Sequence, residues 1–224
     1  QDMGITHIIR GDDHLSNAHR QQILYEALGY KVPAMVHIPL IHGPDGAKLS
    51  KRHGALGTES YKEMGYLPEA LCNYLLRLGW SHGDDEIISR DQAIKWFSIE
   101  GLGKSAARLD FDRMKNLNAH YLRQKNDSEL AEIVINMIEE DHAISNVSKG
   151  NILKAMASLK PRAELLVDLK QMALMYVVDF PLSITAEARQ IILNTDENLL
   201  MQVRETLTSL GNFSKDVIQE KLKE

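Results

Sequence analysis

Cysteine is almost missing from this sequence: Cys72 is the only one in 224 residues. That excludes a disulfide framework and a zinc site built on cysteine, and it makes a reducing, cytoplasmic setting the expectation. No apolar run approaches the ~20 residues that a membrane helix needs. No charged-then-apolar signal segment opens the chain, and neither a low-complexity tract nor an internal repeat can be found. Methionine is absent from the first position, where Gln1 leads directly into a strand-like stretch. A piece cut from a longer protein is therefore expected. Positive charge is in the minority, with 26 Lys and Arg against 31 Asp and Glu and a net charge of -5. This balance argues against attraction of nucleic acid by the molecule as a whole.

What is present is ordinary in bulk and uneven in detail. A hydrophobic fraction of 44% and a charged fraction of 25% suit a water-soluble globular chain, with length for one large domain or two small ones. Charge, however, is segregated. Lys104–Lys125 holds six basic residues against two acids. Residues 126–148 hold six acids and no Lys or Arg, and Lys149–Lys170 turns basic again, five against two. Helices could turn the two basic stretches to one side and offer them to a polyanion, although such blocks are most often solvated helix faces.

The periodicity predicts an α/β start followed by helices. Thr6–Gly11 reads as a short buried strand, Ser16 as the N-cap of a helix reaching Gly29, and Met35–Ile41 as a second strand. Strand, helix and strand with short joins form a βαβ unit with a parallel sheet. Ligands in such sheets lie beyond the carboxyl ends of the strands, where Arg10–His14 and His42–Lys51 fall. Beyond Gly57 the pattern is helical. Pro68 opens a helix carrying Leu71, Tyr74, Leu75 and Leu78. Ser89 and Gln92 form a capping-box pair, and Asp110 caps a further helix. Roughly five more amphipathic helices are expected after Asp127, with breaks at Gly150, Pro161, Phe180–Pro181 and Gly211. Cys72 is expected to be a buried small hydrophobe. Met172, Met175 and Tyr176 are expected in helix core, and Trp80, Trp96 and Tyr74 in packing rather than base stacking.

Two constellations carry possible chemistry. In Gly43-Pro-Asp-Gly-Ala-Lys-Leu-Ser-Lys-Arg-His-Gly54 a turn precedes Lys48, Ser50, Lys51 and Arg52. Glycines around a cluster of cations suit a loop that brings charge to a phosphate, which nucleotidyl transfer requires. The bland reading is a solvated basic loop. At the end of the first strand stands Arg10-Gly-Asp-Asp-His14. An arginine can hold a carboxylate in a bidentate pair and an aspartate can hold an ammonium, which together suit an amino acid. The bland reading is a turn in which Arg10 and Asp13 pair with each other or with a helix end. No metal is assigned to the Asp-Asp-His run, because adjacent residues seldom point at one ion.

Lys48-Leu49-Ser50-Lys51-Arg52 resembles the KMSKS signature of class I aminoacyl-tRNA synthetases. Three further runs resemble the glutamyl-tRNA synthetase family in order and spacing: Arg10–His14, Tyr66–Leu75 with Asn73 and Tyr74, and Phe111–Leu122 with Asn118 and Tyr121. The resemblance is specific to about Arg123 and looser beyond, where Lys160-Pro161-Arg162-Ala163 is its best anchor. It implies the second half of a Rossmann-like catalytic domain over residues 1–57, a helical connector over 58–125 that touches tRNA, and an all-helical anticodon-binding region over 126–224.

It further implies ATP, accompanied by Mg²⁺ and with no zinc, as substrate together with glutamate and tRNA. The protein is expected to be a monomer with no membrane partner. By resemblance Lys51 stabilises the ATP phosphates, and Lys48 and Ser50 shape the loop. Arg10 grips a carboxylate of glutamate, Asp13 and His14 line the amino-acid site, and His37 with the backbone of Leu40 and Ile41 faces adenine. The family's HIGH-type motif does not occur in these residues. Asp13 stands where the family usually has Glu, and His14 where an aromatic ring is common. The fragment alone is expected to be inactive. The alternatives are a non-catalytic tRNA-binding module and a ligase of the glutaminyl or glutamyl-queuosine type.

Overall fold

The computed structural model describes residues 2–49, 57–177 and 184–222. It divides into two compact units, residues 1–177 and 178–224.

The first unit opens with β1 (His7–Gly11), a short 3-10 turn, α1 (Leu15–Ala27) and β2 (Ala34–Ile38). The strands pair in parallel, in register from His7 opposite Ala34 to Gly11 opposite Ile38, as the βαβ pattern requires. α1 starts one residue before Ser16: His14 occupies the N-cap position without a side-chain cap bond. The 3-10 turn over Asp12–His14 already carries the chain into the helix, so a serine cap is not needed. At the other end Gly29 has φ +69. Its amide donates to the Glu26 carbonyl at 3.1 Å, and the Tyr30 amide to the Tyr25 carbonyl at 2.8 Å. This is a Schellman closure, which favours glycine at the left-handed position.

The helical part of this unit runs through α2 (Thr58–Glu63), α3 (Pro68–Gly79), α4 (Arg90–Trp96), α5 (Phe111–Gln124), α6 (Asp127–Glu139), α7 (Asn146–Leu159) and α8 (Leu166–Ala173). The expected caps form: Ser89 and Gln92 bond reciprocally, and Asp110 Oδ1 accepts from the Arg113 amide at 3.0 Å. Leu130, Val134, Ile138, Ile152, Met156 and Leu169 are completely buried in one cluster that also takes in Leu122 of α5 and Ala70 of α3. A smaller cluster joins Tyr61, Tyr66, Tyr74, Leu109 and Met114.

Four local expectations are overturned. Gly150 does not break the chain, because it lies inside α7. Burial of Ile152, Met156 and Leu159 on one face, at about 1.5–3 kcal/mol each, outweighs the roughly 1 kcal/mol that glycine costs in a helix. Cys72 is exposed, since α3 turns Asn73 and Tyr74 inward instead. Met175 is 56% exposed, because a 3-10 turn over Leu174–Tyr176 follows α8 and shifts the side-chain phase. β1 is not the buried strand expected: none of its residues is buried and Ile9 is 43% exposed, because β2 is its one pairing partner among the described residues. Lys149 pairs with Glu139, Lys160 with Asp127 and Lys170 with Asp141, so the second basic stretch is largely neutralised by the acidic one.

The second unit holds α9 (Ala186–Leu193), α10 (Glu197–Thr208) and α11 (Lys215–Lys221). Thr185 and Asp196 cap the first two through side-chain oxygens. Six α-helices therefore follow Asn126 among the described residues. The expected break at Phe180–Pro181 lies outside them. No described helix is long and apolar enough to cross a membrane.

Candidate functional site

The carboxyl ends of the two strands gather one set of polar side chains. Arg10 and His37 stand opposite each other in the register, and Arg10 Nε donates to His37 Nε2 at 3.4 Å. The Arg10 Nη2 atom is buried with no partner among the described residues. A buried, unpaired guanidinium nitrogen is costly, and a ligand carboxylate would relieve it. His37 thus orients Arg10, a task in addition to the adenine contact expected for it. One residue on, Gly11 leaves room for Asp13: a Cβ there would lie 2.6 Å from Asp13 Oδ1 and 3.2 Å from Leu40 Cδ2. His14 is exposed and bonds through Nδ1 to Asn17 Nδ2 at 3.2 Å.

Lys48 reaches this set from a separate hairpin. The Gly46 amide donates to the Gly43 carbonyl at 3.0 Å, closing a turn with Pro44 at its second position, and Gly46 takes φ +81. Asp45 Oδ1 accepts from the Ala47 amide at 3.0 Å. The Leu49 amide then donates to the Ile41 carbonyl at 2.9 Å, so one lone pair of Ile41 is already engaged. His42 anchors the hairpin from below, donating to Ala107 and accepting from Leu109, each at 2.9 Å. From that base Lys48 Nζ meets Asp13 Oδ2 at 3.0 Å. The hydrogen bond from Lys48 holds the Asp13 carboxyl below its ordinary pKa. Asp13 therefore pairs with neither Arg10 nor a helix end, contrary to the bland reading. Ser50, Lys51 and Arg52 lie outside the described residues.

The connector runs that carry the resemblance serve as clamps. Asn118 is fully buried. Its Oδ1 accepts from the Leu67 amide at 2.7 Å, and its Nδ2 donates to the Glu164 carbonyl at 2.6 Å. Asn73 Oδ1 accepts from the Ile88 amide and the Tyr121 hydroxyl, each at 2.9 Å, while the Tyr74 hydroxyl accepts from the Asp110 amide at 2.6 Å. These side chains fix α3, α5 and the segment before α8 relative to one another.

A feature that the sequence reading missed is a groove of about 1150 Å³ along α3 and α5, lined by Pro44, Arg77, Arg108, His120 and Arg123 among others. The basic stretch Lys104–Lys125 pointed to Arg108 and Arg123, but Arg77 lies far from it in sequence and gave no local signal. Among the described residues no group of three metal-ligating side chains comes together.

Comparison with known proteins now places the chain. The family profile described as "tRNA synthetases class I (E and Q), catalytic domain" matches residues 1–116, and "Anticodon binding domain" matches residues 122–224. A protein named glutamate–tRNA ligase 2 from Rickettsia felis is 56% identical over 223 residues, covering 100% of this chain and 48% of that protein. Glutamate–tRNA ligase 1 from Rickettsia canadensis is 57% identical over 223 residues, with the same coverage. A crystal structure of a glutamate tRNA ligase from Elizabethkingia meningosepticum in complex with its amino acid superimposes with a TM-score of 0.81 at 30% identity, covering 99% of this chain and 47% of that one. The chain spans about half the length of the curated relatives it matches. With one profile over its strands and connector and the other over its helical remainder, the chain belongs to the class I tRNA synthetase family of the E and Q type.

Proposed function

We propose that this chain provides part of the catalytic domain and the anticodon-binding region of a glutamate–tRNA ligase. In the reaction a glutamate carboxylate oxygen attacks the α-phosphorus of ATP, pyrophosphate leaves, and the resulting glutamyl adenylate gives its acyl group to a tRNA hydroxyl, releasing AMP. The observation that carries this reading is the 3.0 Å bridge from Lys48 to Asp13, which joins the base of the lysine loop to the strand end bearing Arg10. The base of that loop and the amino-acid-directed groups thereby meet beyond the carboxyl ends of the strands, where ligands of α/β sheets bind. Two long alignments to proteins named as glutamate–tRNA ligases support the same reaction.

Within that reading Arg10, oriented by His37, holds a glutamate carboxylate, and Asp13 with His14 lines the amino-acid site. Leu40 and Ile41 present backbone to adenine beside His37. Lys51 acts on the developing phosphate charge, and Lys48 and Ser50 set the loop. Mg²⁺ accompanies ATP as part of the substrate and is assigned no protein ligand. tRNA is the third substrate, taken up in part by the helices of the anticodon-binding region.

The test is Lys51→Ala in the protein that carries this chain together with a HIGH-type motif. A cation that acts mainly in the transition state contributes ~3–4 kcal/mol, so kcat should fall by roughly 10²–10³ with little change in glutamate affinity. An unchanged kcat with a raised KM for glutamate would remove Lys51 from this role. Charging of tRNA with glutamine instead of glutamate would move the chain to the glutaminyl branch.

A further inference from the structure

One apolar side chain ties the lysine hairpin to the helical block, and the site above leaves it without a task. We infer that Leu49 is a positioning residue: packed against the buried tyrosine cluster of the helical block, it turns Lys48 to the opposite side and sets it against Asp13. The consequence for catalysis rests on the reading of the chain as part of a glutamate–tRNA ligase. The placement of Lys48 does not.

Three observations converge. First, an extended ladder puts the two side chains on opposite faces. The Gly43 amide donates to the Ala47 carbonyl at 2.8 Å and the Leu49 amide to the Ile41 carbonyl at 2.9 Å, with His42 opposite Lys48 in an antiparallel bridge. Successive side chains of such a stretch point to opposite sides. Leu49 packs against the cluster of Tyr61, Tyr66, Tyr74, Leu109 and Met114, while Lys48 Nζ stands 3.0 Å from Asp13 Oδ2. Secondly, the ion pair is too weak to set this geometry by itself. Its two side chains are 53% and 39% exposed, and pairs so open to water contribute little. Leu49 is half-buried, and the surface it meets is well fixed. The Tyr61 and Tyr66 rings meet edge to face at 6.0 Å, and the Tyr74 hydroxyl accepts from the Asp110 amide at 2.6 Å. Burial of apolar surface therefore decides which face of the hairpin turns inward, and the ion pair follows. Thirdly, one cluster holds the lysine loop at both ends. The chain enters the loop at Leu49 and returns to the same cluster at Tyr61, which is buried in α2. Leu109 belongs to that cluster too, and its amide donates to the His42 carbonyl at 2.9 Å. The strand that pairs with Lys48 and Leu49 is thus bonded to the same body. Such anchoring matters for chemistry, since a misplacement of ~1 Å can cost ~10²-fold in rate.

The test reads the Lys48–Asp13 contact directly. In the 224-residue chain the Asp13 carboxyl is titrated by NMR. In the protein that carries this chain together with a HIGH-type motif, charging of tRNA with glutamate is measured. Leu49→Ala should move the Asp13 titration up toward the ordinary carboxylate range, because it weakens the Lys48 hydrogen bond that holds it down. For this partial displacement kcat for charging should fall about tenfold. Leu49→Met keeps the volume and should recover most of both. Val134→Ala, a cut in the other apolar cluster, should leave the Asp13 titration where it is, which a general loosening of the fold would not. In a Lys48→Met background, Leu49→Ala should move Asp13 no further. Leu49→Val, a smaller cut, gives the same reading if the alanine variant does not fold. An Asp13 titration unmoved by the folded Leu49 variants, or moved as far by Val134→Ala, would overturn the proposal. If Asp13 responds as expected while the longer protein charges no tRNA with glutamate, the proposed function would fall and the placement of Lys48 by Leu49 would stand.

Discussion

The strand-bearing segment and the helical block that follows it use similar residues in opposite ways. Between residues 2 and 49 only Ala18, Pro33 and Gly43 are buried, while Ile23 and Leu24 of α1 and Leu28 just after it are at least 60% exposed. Between Tyr61 and Ala173 the apolar residues close into two continuous clusters. Yet the side chains with chemistry to offer, Arg10, Asp13, His37 and Lys48, stand on the thin segment. The thick block supplies the geometry instead. The His42 bridges to Ala107 and Leu109 tie the lysine hairpin to the start of α5, and α5 is in turn fixed by Asn118. Stability and chemistry are thus carried by different stretches, so substitutions in each should have separable effects.

The sharpest break in that division should come from Asn118→Leu. It strands the Leu67 amide and the Glu164 carbonyl without partners, at about 1–3 kcal/mol each, and overfills a fully buried site. A loss of about 3–5 kcal/mol in chemical denaturation is expected, and a loss below 1 kcal/mol would show that the clamp is dispensable. Next in size is Gly65→Ala. Gly65 has φ +89, and a Cβ there would meet the Val167 amide nitrogen at 2.7 Å. The left-handed conformation costs about 1–2 kcal/mol and the overpacking a similar amount, so about 2–4 kcal/mol should be lost in the same assay. In the opposite direction, Gly150→Ala should gain about 0.5–1 kcal/mol, because the added Cβ meets nothing within 4 Å. A melting temperature that falls would mean that α7 does not run through this position as described.

The smallest effect on folding belongs to the thin segment. Lys48→Met should leave the unfolding midpoint unchanged, since exposed ion pairs contribute little. The Asp13 carboxyl, however, should titrate at higher pH than in the parent, toward its ordinary value. In the parent its pKa is lowered by the Lys48 hydrogen bond. The bridge is therefore present above the ordinary carboxylate range and lost as pH falls through the lowered value. Carboxyl NMR follows both. An Asp13 titration that ignores Lys48→Met would dissolve the link between the two constellations.

Much of this architecture was legible in advance where the cause is local. The caps at Ser89 and Asp110, the Gly29 terminus and the turn at Pro44–Gly46 follow from interactions within a few residues, and the parallel βαβ unit from the order of its elements and their short joins. The order of four motifs was enough to suggest the family. Expectations failed where the decision was made at longer range. Gly150 looked like a break until the burial of Ile152, Met156 and Leu159 on one face overrode it. Cys72 looked apolar, but the rotation of α3 is set by Asn73 and Tyr74 bonding to distant backbone.

Charge shows the same divide most plainly. By itself the sequence determined that basic and acidic residues come in separate blocks, and that the Arg10–His14 run and the lysine loop lie beyond the carboxyl ends of the two strands. It did not determine which charges remain unspent. Only the packing of α6, α7 and α8 brings Lys149, Lys160 and Lys170 onto carboxylates, and only the packing of α3 beside α5 leaves Arg77 and Arg123 facing an open groove. Ion pairing and desolvation depend on distances of a few ångströms between residues far apart in the chain, and linear order does not fix those distances.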